Sequence, residues 1–198
     1  VAHLALILDS LGVKEPINVV GNSYGGAISA NFAEQHPDWV KTLVIYDGPA
    51  CDFTKAMADS VARSVGAADM KGLFTPQNPD EQYRLLAIAF YDPPKVPAFA
   101  RKQFYEHAKE KQPGYLGLLQ DLLDREKQYA TKQYTWSMPV YVLWGEGDRL
   151  IPPAVGRGIA SRNHLPADHL IMIPNAGHIA NVEQKAVFEE QLRRVLKE

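Results

Sequence analysis

Gly21-Asn22-Ser23-Tyr24-Gly25-Gly26 stands between the β-branched run Ile17 to Val20 and a helical pattern from Ala30 to Gln35. A chain that turns from a buried strand straight into a helix needs room that side chains would fill. Glycines at Gly21, Gly25 and Gly26 keep neighbouring strand and helix from colliding with it. The serine at the centre of such a turn is held in a strained backbone conformation with its hydroxyl in the open, and the following helix aims its first N–H groups at the same spot. The N–H of Tyr24 is thus placed to stabilise a developing oxyanion. Without chemistry, the same turn is a structural junction or a phosphate cradle.

The rest of the chain surrounds this turn with strands and helices in alternation. Leu4, Ile7, Leu8 and Leu11 recur at helical spacing and Gly12 stops that helix. Lys41 to Tyr46 reads as a strand ending at Asp47-Gly48-Pro49. The order helix, strand, helix, strand implies parallel strands joined by right-handed crossovers, an α/β class. From Asp52 to Trp136 no strand pattern is found, and four helices are expected: Thr54 to Val65, Asp80 to Tyr91, Pro97 to Glu110 and Tyr115 to Gln128, the last two separated by Pro113-Gly114. Strands resume at Pro139 to Trp144 and His169 to Ile173, with helices over Pro153 to Ser161 and Glu183 to Lys197. Three segments are expected: residues 1–51 and 137–198 as an α/β core, and 52–136 as an inserted helical cap.

A serine nucleophile needs a base and a group to orient it. Asp148 follows the strand ending at Trp144, and His178 follows the strand ending at Ile173, so both fall beyond the carboxyl ends of parallel strands, where open α/β sheets place their ligand sites. Glu146 is a rival to Asp148. His3, His36, His107, His164 and His169 lie on helices, in the insertion or ahead of the last strand, and read as solvated or capping. Asp47, at the end of its own strand, has a supporting role at most. Cys51 is the single cysteine, so no intramolecular disulfide or cysteine zinc site can form, and it reads as a small buried residue.

Composition removes other classes of function. The 198 residues carry a net charge of −2 with no basic run, which argues against a nucleic-acid partner. No metal-binding spacing of histidines or acids occurs, and neither a Gly-x-Gly-x-x-Gly nor a phosphate-binding lysine follows the first strand, so neither metal nor cofactor is expected.

With Val19 to Gly26, Val142-Leu143-Trp144-Gly145-Glu146-Gly147-Asp148 and Ala176-Gly177-His178 in this order, the chain resembles the α/β-hydrolase superfamily. The resemblance implies that the four strands are strands 5 to 8 of an eight-stranded sheet, the C-terminal part of that fold with its cap inserted. It implies Ser23 as nucleophile, His178 as base, Asp148 as orienting acid and Tyr24 as one oxyanion donor, within an elbow formed by Gly21, Gly25 and Gly26. The loop that supplies the second donor belongs to strands 1 to 4, which have no counterpart here. A chain of this sequence alone is then expected to be poorly soluble or inactive, or to pair with the absent segment as another chain. The residue before the nucleophile and the glycines after it are similar to the carbon–carbon bond hydrolases and to a group of bacterial lipases and monoacylglycerol lipases, while Leu73-Phe74-Thr75-Pro76, Tyr83-Arg84-Leu85-Leu86 and Pro93 to Pro97 resemble the lipases. The implied activity is hydrolysis of a small-molecule carboxylic ester, with the apolar residues Leu85, Leu86, Ile88, Phe90, Tyr91, Leu118, Leu119, Leu122 and Leu123 either offered to an acyl chain or, for any one of them, holding the cap helices together. Cleavage of a ring-cleavage product and a non-catalytic hydrolase-like role stay open as alternatives. The cytoplasm is the default compartment, and an upstream signal or anchor stays open as an alternative.

Overall fold

The chain is described by a computed structural model over residues 1–197. Four strands, β1 (Ile17–Asn22), β2 (Val40–Tyr46), β3 (Val140–Gly145) and β4 (Leu170–Ile173), form one sheet in the order β1-β2-β3-β4, every neighbouring pair parallel. The α/β class and the parallel connection are as the alternation of patterns predicts. Helices α1 (Ala2–Ser10) and α2 (Tyr24–Gln35) flank β1, α8 (Pro153–Arg162) joins β3 to β4, and α9 (Ala180–Glu183) and α10 (Lys185–Leu196) close the chain. Helix α1 ends where Gly12 takes φ +68°, a left-handed position that suits glycine.

Side chains alternate across the strands and feed two cores. Leu43 and Ile45 of β2, with Val142 and Trp144 of β3, face one side, where Phe32 of α2 and Val155 and Ile159 of α8 cover them. Val44, Tyr46, Leu143, Ile171 and Ile173 face the other, beneath Phe188 and Val195 of α10. Strands buried on both faces read in sequence as unbroken apolar runs, which is why Leu43-Val44-Ile45 and Val142-Leu143-Trp144 stand out.

Between β2 and β3 the described residues contain helices and no strand: α3 (Lys55–Ser64), α4 (Met70–Leu73), α5 (Pro79–Ala89), α6 (Ala98–Asp124) and α7 (Glu126–Tyr129). Two helices broken at Pro113-Gly114 are expected from sequence, and here the structure differs. Helix α6 runs through both residues for 27 positions. Proline removes one N–H from a helix that packs along α5, and Gln112 next to it donates from Nε2 to the Phe74 carbonyl at 3.3 Å, so tertiary contacts outweigh the local breaker. Helix α4 is unforeseen. It is a single turn capped from two sides, Asp69 Oδ1 accepting from Gly72 N at 2.7 Å and Asp59 Oδ1 from Met70 N at 3.1 Å. The closing helix is interrupted at Gln184, which separates α9 from α10.

Candidate active site

Ser23 sits at the junction of β1 and α2 with φ +53° and ψ −129°, a conformation that costs a non-glycine residue about 1–3 kcal/mol. Its N–H donates to the Tyr46 carbonyl at 3.0 Å, which ties the turn to the end of β2. The glycines around it differ in purpose. A Cβ on Gly21 would strike the Gly25 carbonyl and Ser29 Oγ, and one on Gly26 would lie 2.7 Å from Gly48 Cα. Around Gly25, however, the chain leaves open space, so the crowding expected from sequence at that position is absent among the described residues. The N–H of Tyr24 opens helix α2, as the pattern predicts. Its side chain does something no motif announces: Tyr24 Oη donates to Asp121 Oδ2 at 2.9 Å, and Asp121 Oδ1 accepts from Arg125 Nε at 2.8 Å. The residue after the serine is thereby tethered to α6. Burial, then the bond to Asp121, pushes the Tyr24 phenol up to about 12.

Asp148 and His178 meet. His178 Nδ1 lies 2.8 Å from Asp148 Oδ2, with the residues 5% and 3% exposed. Asp148 Oδ1 accepts from Leu150 N at 2.8 Å and Ile151 N at 2.9 Å, so its carboxylate is held by three N–H groups once the imidazole proton sits on Nδ1. Glu146, the rival acid, is exposed. Of the other histidines, His3, His107 and His164 are exposed, His36 lies against Phe32, and His169 stacks on Tyr141 with Nδ1 at 2.8 Å from the Val140 carbonyl. Ser23, Asp148 and His178 all lie at the carboxyl edge of the sheet, although no hydrogen bond joins Ser23 Oγ to the imidazole. Such contacts are often long without substrate.

The histidine loop is held by partners that the sequence did not mark. Glu183 accepts from Gly177 N at 2.7 Å and from Tyr91 N at 2.8 Å, and His178 N donates to the Ala89 carbonyl at 2.8 Å. A Cβ on Gly177 would come within 2.6 Å of that same carbonyl, which explains glycine before the histidine. No residue pattern reveals Glu183, because its partners are backbone groups 6 and 92 positions away.

An apolar cavity of about 220 Å³ opens on Ser23 and Tyr24. Leu118, Leu119 and Leu122 of α6 line it as proposed from sequence, together with Phe53, Met70, Phe74, Tyr115, Leu150 and Ile151. Leu85, Leu86, Ile88, Phe90, Tyr91 and Leu123 do not line it. Leu85 and Leu86 turn toward clefts between α5 and α6, and Ile88 is buried within the core. The amphipathic pattern could not tell which face of each helix meets the serine. Cys51 is fully buried, with its thiol pushed up to about 12 by burial, which suits packing and not nucleophilic attack.

Asp47, Asp148 and His178 place one donor atom each within 4.8 Å of one another, a spacing that a metal could use. Both oxygens of Asp148 and the facing nitrogen of His178 are already committed to hydrogen bonds, so the group reads as a proton-binding network.

The profile of the alpha/beta hydrolase fold matches residues 1–185. The chain belongs to this family. Lipase 1 of Psychrobacter immobilis is 29% identical over 180 residues, covering 89% of this chain and 54% of the lipase. A 2-hydroxy-6-oxononadienedioate/2-hydroxy-6-oxononatrienedioate hydrolase of a Pseudomonas species is 23% identical over 186 residues, covering 93% of this chain and 64% of that protein. In three dimensions, the 2-hydroxy-6-oxo-6-phenylhexa-2,4-dienoate hydrolase of Rhodococcus sp. strain RHA1 superposes with a TM-score of 0.75 at 17% identity, covering 96% of this chain and 67% of that one. The chain therefore spans about half to two thirds of the length of the relatives it matches, and its four parallel strands agree with the C-terminal part of the fold.

Proposed function

We propose that the protein is a serine hydrolase that cleaves carboxylic esters with an apolar acyl group. Ser23 attacks the acyl carbon while His178 takes its proton and returns it to the leaving alcohol; Asp148 holds the imidazole tautomer and stabilises the imidazolium. Tyr24 N–H donates to the oxyanion. The observation that carries this reading is the cavity on Ser23, whose lining among the described residues contains no charged side chain. Its leucine, phenylalanine and methionine walls offer an acyl chain only apolar surface.

The relatives named for dienoate cleavage favour a second reading, hydrolysis of a carbon–carbon bond by the same residues. Those substrates bear a carboxylate, and an uncharged apolar wall receives a carboxylate poorly. The test uses the full-length protein with a fluorophosphonate probe, p-nitrophenyl esters of graded acyl length and a 2-hydroxy-6-oxo-dienoate. Labelling at Ser23, abolished in S23A, with turnover of the p-nitrophenyl esters faster than of the dienoate, supports the ester reading. Faster turnover of the dienoate moves the assignment to carbon–carbon hydrolysis, and an unlabelled Ser23 removes both.

A further inference from the structure

Asp47 is a buried acid of the site to which the mechanism gives no task. It is fully buried at the end of β2, with φ +44°. Its N–H donates to the Leu143 carbonyl at 3.1 Å and its Oδ1 accepts from Gly145 N at 2.9 Å, while Oδ2 is buried without a partner among the described residues. The Gly145 carbonyl in turn accepts from Asp148 N at 3.1 Å. Asp47 thus holds, through one glycine, the turn that carries the acid bonded to His178.

Two carboxyl groups this close and out of water cannot both be ionised without a strong cost. Arg149, the cation next to Asp148 in sequence, is turned away to the carbonyls of Ala87 and Phe90. Asp148 receives three N–H donors and Asp47 only one, so the pair's negative charge belongs on Asp148 and its proton on Asp47. The other titratable groups facing this corner are His178 and the Tyr46 phenol, which donates to Asn181 Oδ1 at 2.8 Å, with Glu183 of α9 beyond it. Burial and the neighbouring Asp148 push the Asp47 carboxyl well above its usual range, in the same direction.

We infer that Asp47 is a positioning residue of the site: a neutral carboxylic acid, its proton on Oδ2, that fixes the Gly145 turn and leaves Asp148 the single anion facing His178. A second negative charge here would keep the imidazole protonated before attack and deprive Ser23 of its base. The neutral form avoids this while keeping Oδ1 as an acceptor.

The inference rests on the serine-hydrolase reading for its kinetic arm alone. In the full-length protein, D47N preserves both shape and neutrality. Its kcat/KM should stay within about threefold of wild type, and the acid limb of its pH profile, where His178 takes up a proton, should not move. D47A strands the Gly145 N–H and should lose about 10- to 100-fold. A limb displaced downward by about one pH unit in D47N, a loss beyond tenfold in D47N, or full activity in D47A overturns the inference. Should the alanine variant fail to fold, wild-type protein labelled with ¹³C at aspartate carboxyls decides: one protonated carboxyl signal at pH 7, absent in D47N, is expected, and a wild type without it overturns the proposal. That signal is read whether or not any ester is turned over. Absent fluorophosphonate labelling with the signal present would therefore fault the hydrolase reading and not the proton on Asp47.

Discussion

His178 and Asp148 touch through one hydrogen bond, yet the pair depends on how Asp148 is held. With Oδ1 taken by the Leu150 and Ile151 amides, only Oδ2 is free to face the imidazole, so the acid has one orientation. D148N keeps the shape and offers an amide that can donate where an acceptor is needed. A loss of about 10,000-fold in kcat is expected with little change in Tm, measured by ester hydrolysis and thermal melting. If D148N retains a tenth of the activity, another group orients His178. The strain at Ser23 belongs to the same scale: its positive φ holds the hydroxyl outside the turn, and the bond from its N–H to Tyr46 keeps it there.

Among the elements, α5, α6 and α9 shape the site by bearing on the loops around it. Glu183 of α9 gathers the N–H groups of Gly177, Tyr91 and Asp92, so it ties the histidine loop to the chain leaving α5. E183A leaves those donors short of an acceptor at a cost of about 1–3 kcal/mol, and kcat should fall about tenfold because His178 loses its fixed loop. Steady-state kinetics beside a melting curve check this; an unchanged kcat with a lowered Tm would make Glu183 purely structural. Helix α6 offers the opposite case. A Cβ on Gly114 meets nothing within 4 Å. G114A should therefore stabilise the helix by about 0.8–1 kcal/mol and raise Tm by about 2–4 °C. A lower Tm in calorimetry would mean that α6 needs a break at that point.

For the whole molecule, buried proton-bearing groups set the alkaline limit. Burial pushes Cys51 and Tyr24 up to about 12, and Tyr46 and Tyr134 upward as well. Each group binds its proton more tightly folded than unfolded. Its contribution to stability is full below the ordinary values of 9.0 for the thiol and 10.0 for the phenols, and is lost as pH rises toward the folded values. Tm should be level to about pH 9 and fall steadily above pH 10, as followed by circular dichroism; a Tm that climbs over that interval contradicts the burial of these groups. The sheet edge matters at this scale too. Among the described residues β1 pairs only with β2, and Val20 on that strand is 43% exposed. A free apolar strand edge invites pairing with another chain. Residues 1–198 expressed by themselves should self-associate in light scattering, and a stable monomer would show that β1 needs no partner strand.

Sequence alone determined the α/β class, the parallel direction of the strands and the candidates Ser23, Asp148 and His178. Each is a local statement: an apolar run marks a strand buried on both faces, and glycines beside a serine mark a sharp turn. The strands' shared direction then puts their carboxyl ends on one edge. What only the tertiary structure decided are the relations between distant segments. The bond from Tyr24 to Asp121, the clamp of Glu183 on Gly177 and Tyr91, and the choice of Leu118, Leu119 and Leu122 over Leu85 and Leu86 as cavity wall join residues far apart in the chain. Helix α6 passes through Pro113-Gly114 because packing against α5 outweighs a local preference. Asp47 changes from a turn residue to a buried acid beside the site only when β3 is laid against β2, since burial and a neighbouring carboxylate exist only in the folded chain.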